Sequence, residues 1–98
     1  MSHVLIDNGS RITRSSRVLL TRAGDEGVLV DEDGGSVHVV NATAARVWEL
    51  CGEGATFNSV LHAMGAEYDI DETELRGDLE AVLSEFHELS LVSVSPGS

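Results

Sequence analysis

The chain has 98 residues, 42% of them apolar, and a formal net charge of −11 from 17 acidic and 6 basic residues. That is enough for one domain with a single core and little room for a deep catalytic cleft. The acidic balance argues against a polyphosphate partner, because binding one draws on clustered Lys and Arg. The one cysteine, Cys51, excludes an internal disulfide and a cysteine-only metal site.

The charge is uneven. Arg11, Arg14, Arg17 and Arg22 face only Asp7 in the first 24 residues, whereas residues 25–98 hold sixteen acids against Arg46 and Arg76. A solvated acidic surface that maintains solubility is the simplest reading. The N-terminus lacks a basic stretch followed by an apolar run, so no signal peptide is expected. No apolar stretch approaches the ~20 residues that span a bilayer. A cytoplasmic protein without membrane contact is the expectation.

Residues 1–16 are polar around Val4-Leu5-Ile6 and read as an arm or a short strand. Arg17–Arg22 reads as a strand, Gly24–Gly27 as a polar turn, and Val28–Val30 and Val37–Val40 as two more strands. Asp33-Gly34-Gly35 supplies the positive φ angles a tight hairpin needs. The expected result is a three-stranded antiparallel meander whose third strand lies at an edge.

Asn41 is placed to cap a helix whose Ala44, Val47, Trp48 and Cys51 share one apolar face, with Gly52 ending it. Thr56 caps a second helix, carrying Phe57, Val60, Leu61, Met64 and Tyr68. Gly65 weakens that helix, or marks its early end or a close approach. Asp71 and Glu74 resemble a capping box for a third helix over about 72–88. Leu75, Leu79, Val82, Phe86 and Leu89 line its apolar stripe, and Leu83 widens it. Leu91–Val94 reads as a short final strand, and Ser93–Ser98 as a tail that frays, with residues 95–98 disordered. The fold class is α+β, a three-stranded antiparallel sheet followed by three helices, similar to a winged helix-turn-helix.

The sequence offers little catalytic chemistry. Cys51 sits on an apolar helix face with no histidine at helical spacing to activate it. His3, His38, His62 and His87 have no metal-ligand spacing, and no phosphate-binding glycine loop joins a strand to a helix. No catalytic residue, metal or cofactor is therefore assigned. DNA binding is the rival that the element order raises, since winged helices place their last helix in the major groove. Here that helix carries Asp71, Glu72, Glu74, Asp78, Glu80, Glu85 and Glu88 against Arg76 alone, which a duplex would repel.

An exposed third strand supports a different activity. Its free N–H and C=O groups can pair with an extended peptide, and a neighbouring helix can read the peptide's side chains. Val37, His38, Val39 and Val40 supply the edge, with Val37 and Val39 pointing one way and His38 and Val40 the other. Arg76, Leu79 and Leu83 are the candidate flank of the third helix, although Leu79 and Leu83 are each suited to the core as well. The alternative function is a regulatory or scaffold winged-helix domain that binds another protein through its acidic helix.

The run from Val39 to Leu50, VVNATAARVWEL, resembles the "LNxTAxxIWEL" segment of PqqD-like proteins. The Thr56-Phe57, Val60-Leu61 and Tyr68 spacing and the ending Val82-Leu83, Phe86, Leu89-Ser90-Leu91-Val92 are similar to the same family, so the resemblance spans about residues 17–94. Val40 stands where the family has Leu, and the arginine-containing N-terminal segment is outside the pattern. The resemblance implies three strands and three helices. It also implies a non-catalytic recognition element, or peptide chaperone, for ribosomally made and modified peptides. The leader of a precursor peptide would lie beside the third strand, here Ser36–Val40, and against the third helix. The bound precursor would be presented to a modifying enzyme such as a radical-SAM protein, a leader peptidase or a cyclase. Pyrroloquinoline quinone, lasso-peptide and other peptide pathways are all compatible with it.

Overall fold

The computed structural model describes residues 6–96. In chain order its elements are β1 (Arg11–Arg14), β2 (Val18–Ala23), β3 (Glu26–Asp31), β4 (Val37–Asn41), α1 (Ala42–Leu50), β5 (Glu53–Thr56), α2 (Phe57–Glu67), α3 (Glu72–Glu88) and β6 (Val92–Ser95). The fold is α+β with three helices. The expected meander is present as β2-β3-β4, antiparallel throughout, with β4 at its edge.

A second three-stranded sheet accompanies it, in the order β5-β1-β6. β1 forms at its centre although it carries a single apolar residue, Ile12, which is fully buried. β5, the sequence Glu-Gly-Ala-Thr, has almost no strand propensity and is held by its pairing with β1. The final strand was expected. It reaches Ser95, so Ser93–Ser95 is paired in the stretch expected to fray. Val4 and Leu5 of the expected N-terminal strand, and Gly97 and Ser98 of the expected tail, lie outside the described residues.

Local chemistry explains the turns. Gly24 takes φ +65° between β2 and β3, which makes the connection two residues long and leaves Gly27 inside β3 rather than in a turn. Between β3 and β4 the Asp31 carboxylate accepts from the Asp33 and Gly34 N–H groups, each at 3.0 Å. Of the two adjacent glycines only Gly35 has positive φ.

All three N-terminal helix caps fall where the sequence puts them, whereas α1 closes on Cys51 in extended backbone and Gly52 is not left-handed. Asn41 accepts from Ala44 N–H at 2.8 Å, Thr56 from Ser59 N–H at 3.1 Å, and Asp71 from Thr73 N–H at 3.1 Å. The Asp71 cap thus reaches the second residue of α3, not the third that a capping box uses. Gly65 stays helical. A Cβ there would meet Leu75 at 3.8 Å, so this is where α2 and α3 approach.

The core lies between the two sheets and the helices. Ala44, Val47, Trp48 and Cys51 of the first helical face, Phe57, Val60, Leu61 and Met64 of the second, and Leu75, Leu79 and Phe86 of the third are all buried. Trp48 meets Phe86 edge to face at 5.9 Å. On α3 the buried stripe is Leu75, Leu79, Leu83 and Phe86. Val82 is half-buried and Leu89 is 40% exposed, so the stripe is rotated toward Leu83 relative to the expected one.

Candidate functional site

β4 offers an open edge whose free backbone groups can be identified from its register. Asp31 N–H donates to Ser36 C=O at 2.9 Å, and the ladder continues as Val30↔Val37, Leu29↔His38, Val28↔Val39 and Gly27↔Val40. Bonding pairs alternate in an antiparallel ladder, so Leu29↔His38 and Gly27↔Val40 exchange hydrogen bonds across β3–β4. On its other side β3 uses Glu32, whose N–H donates to Arg17 C=O at 2.9 Å, and the same alternation keeps Val30 and Val28 bonded to β2. The N–H and C=O groups of Val37 and Val39 therefore point away from the sheet. Among the described residues no strand pairs with this side of β4.

The side chains follow the expected alternation. His38 and Val40 lie opposite Leu29 and Gly27, on the helix-facing side, where Val40 packs against the core. Val37 and Val39 are 60% and 63% exposed on the outer face. Leu19, across the sheet, is exposed there too.

β4 passes directly into α1, and beside that junction α1 and α3 frame a groove of about 130 Å³. Val47, Met64, Leu75 and Leu79 line its inside. Thr43 stands on the α1 side and Val82 on the α3 side, while Tyr68 and Ile70 come from the segment joining α2 to α3. Asp78 is the one charged residue in the lining among the described residues.

The residues of the expected helix flank do not lie together on the groove. Leu83 is 0% exposed and belongs to the core, so a guest chain cannot touch it without unpacking α3. Leu79, at 2% exposed, is core as well, although it also lines the groove. Arg76 lies on the opposite flank. Its Nη1 donates to Asn8 Oδ1 at 2.6 Å, and its guanidinium sits 5.5 Å from the centre of the Phe57 ring. Successive helix residues are 100° apart, so Arg76 and Leu83 fall on one side of the Leu75–Leu79 stripe and Asp78 and Val82 on the other. The groove uses the second side. Thr43, Val47, Tyr68, Ile70, Asp78 and Val82 line the groove and were not among the expected binding residues. Exposed Ile70, one residue before the α3 cap, was the available signal.

The arginines of β2 and α1 are already held. Arg46 of α1 binds Glu67 through Nε and Nη2, at 2.9 and 2.7 Å, and reaches Glu49 at 3.4 Å. Arg22 of β2 binds the same Glu49 at 2.8 Å. These guanidinium contacts hold the Glu49 and Glu67 carboxyls below the usual carboxylate range. No group of side chains suited to a metal occurs among the described residues. Among them, too, no helix is long and apolar enough to cross a membrane.

The family model for coenzyme PQQ synthesis protein D (PqqD) matches residues 26–92, which runs from β3 to the start of β6. The chain belongs to the PqqD family. Among solved structures, this PqqD-family chain is similar to TbiB1 in complex with the TbiA(beta) leader peptide. The two are 27% identical with a TM-score of 0.73, over 83% of this chain and 94% of that one. It also shares the fold of a lasso peptide synthetase B1 complexed with a leader peptide, at 20% identity and a TM-score of 0.70, over 84% and 96% of the two chains. No curated protein sequence matches it.

Proposed function

We propose that this PqqD-family chain binds the leader region of a ribosomally synthesised precursor peptide by strand addition and presents it to a separate modifying enzyme. The observation that carries the reading is the open β4 edge beside an apolar groove. The edge offers the N–H and C=O groups of Val37 and Val39, and the groove can take one large apolar side chain. Similarity to a structure described as a leader-peptide complex supports the same reading.

Backbone pairing along β4 gives affinity that tolerates sequence change. Alternate leader side chains face His38, Val40 and the groove, where Leu79 and Val82 read them. Those in between lie beside Val37 and Val39 on the outer face. Tethering the leader raises the effective concentration of the attached core peptide at a partner enzyme, so no catalytic step is assigned to this chain. A radical-SAM enzyme, a leader peptidase or a cyclase, acting in the cytoplasm, fits that role.

The test is a titration of the isotope-labelled protein with leader peptides of candidate precursors, starting with any encoded in its own gene cluster, followed by amide NMR. Saturable shifts at Val37 and Val39, and at Thr43 and Val82 on the groove walls, are expected. No binding, or binding that leaves those amides unmoved, overturns the reading.

A further inference from the structure

We propose that Asp78 selects leaders that carry a lysine or arginine two residues from the apolar anchor, an inference that rests on the strand-addition reading above. The groove alone accepts any large apolar side chain. Its single charged wall residue distinguishes one guest from another.

Asp78 lines the cavity, and among the described residues its carboxylate takes part in no hydrogen bond or ion pair. Arg46, on the facing helix α1, is committed to Glu67 and Glu49. Arg76, the one cation of α3, is turned to the other flank, toward Asn8 and Phe57. The Asp78 charge therefore faces the guest with nothing on this side of α3 to offset it.

The spacing fits an extended chain. Residues two apart on a strand share a face and lie about 6.6–6.8 Å from one another. Asp78 and Val82 are one helical turn apart, about 6 Å along the axis. A guest strand that seats an apolar side chain against Val82 and Leu79 brings the side chain two residues along opposite Asp78. A long, flexible Lys or Arg reaches the carboxylate there while its stem covers apolar wall. A carboxylate at the same guest position meets like charge beside a partly desolvated surface. Discrimination between the two guests of about tenfold is expected.

The test is selection of a displayed library of random twelve-residue peptides on the wild-type protein and on Asp78→Lys, Asp78→Asn and Val39→Pro variants. Asp78 is exposed on a helix, so its variants keep the fold, which circular dichroism checks. Wild-type protein should enrich peptides with Lys or Arg two residues from a large apolar residue. Asp78→Lys should enrich Asp or Glu at that position, and Asp78→Asn should show no charge preference. Peptides that depend on Val39 but show the same charge preference with all three residues at 78 overturn the Asp78 assignment and leave strand addition standing. Enrichment that Val39→Pro does not reduce, or no enrichment, overturns the strand-addition reading and this inference with it.

Discussion

His38 lies directly opposite Leu29 in the β3–β4 ladder, in a pair that exchanges backbone hydrogen bonds, and this fixes the direction of its neighbour: the Val39 N–H points to the open edge. Proline at the two positions should then have different consequences. Val39→Pro removes a donor that no other part of the sheet uses, so the fold should persist, as proline does on edge strands. Leader affinity should fall about tenfold, the worth of roughly one net hydrogen bond. His38→Pro instead removes a bond to Leu29 and should cost about 1–3 kcal/mol of stability. Urea denaturation and a leader titration of both variants separate the effects. Equal affinity for wild type and folded Val39→Pro would falsify the assignment of the free edge.

Gly27 is where helix α1 rests on the sheet. A Cβ there would lie 2.9 Å from the Ala45 Cβ, which belongs to a fully buried residue with no rotamer to move aside, and 2.9 Å from Leu20. Gly27→Ala should therefore lose about 1–3 kcal/mol through displacement of α1. Gly77, on the exposed side of α3, has no atom within 4 Å of such a Cβ. Gly77→Ala should gain about 1 kcal/mol from helix propensity. Chemical denaturation of the pair reads both signs. A neutral Gly27→Ala would mean that α1 sits on β3 more loosely than this geometry requires.

These positions also show what the sequence makes legible. Periodicity located α1, α2 and their buried faces, because Trp48, Phe57 and their neighbours repeat at helical spacing. Turn chemistry located the meander. β1 and β5 left almost no local signal: Ile12 is a lone apolar residue, and β5 is a strand because it pairs with β1. Such strands follow from long-range pairing, which composition does not encode. The edge at Val37–Val40 was readable because the strand is followed at once by a helix cap. Which flank of α3 borders the groove was not. Choosing between Arg76 and Asp78 requires knowing to within a fraction of a turn how α3 is rotated, and Leu83 and Val82 are apolar enough to satisfy either choice.

Glu67 and Arg46 join α2 to α1 through two short bonds. The hydrogen bond from Arg46 is the chief cause that holds the Glu67 carboxyl below its ordinary value of 4.5. A carboxyl whose pKa is lower in the folded than in the unfolded chain contributes stability above the unfolded value. That contribution disappears as pH falls through the folded one. Wild type should therefore be more stable than Glu67→Gln at neutral pH, with a gap that begins to narrow below about pH 4.5 and closes under stronger acid. Urea is the suitable denaturant because, unlike guanidinium chloride, it leaves charges unscreened. A gap that stays constant from neutral pH into the acid range would show that the pair contributes nothing that titrates.

Cys51 closes α1, its N–H donating to Val47 C=O at 3.0 Å, and its side chain is fully buried in the core. Burial pushes its thiol up to about 12 and outweighs the opposing charge of Arg14. Because the thiolate is the reactive form, the folded protein should present almost none of it at pH 8. Modification by a disulfide reagent should then proceed no faster than the protein unfolds. It should accelerate in step with urea-induced unfolding, measured on the same samples. Iodoacetamide treatment of the folded protein should leave its mass and its leader affinity unchanged. Cys51→Ser places a hydroxyl in an apolar setting and should cost about 1–3 kcal/mol, the penalty of a buried polar group without a partner. Rapid labelling of the native protein at pH 8 would contradict this account, because it requires a thiol that solvent reaches without opening the contact between α1 and the core.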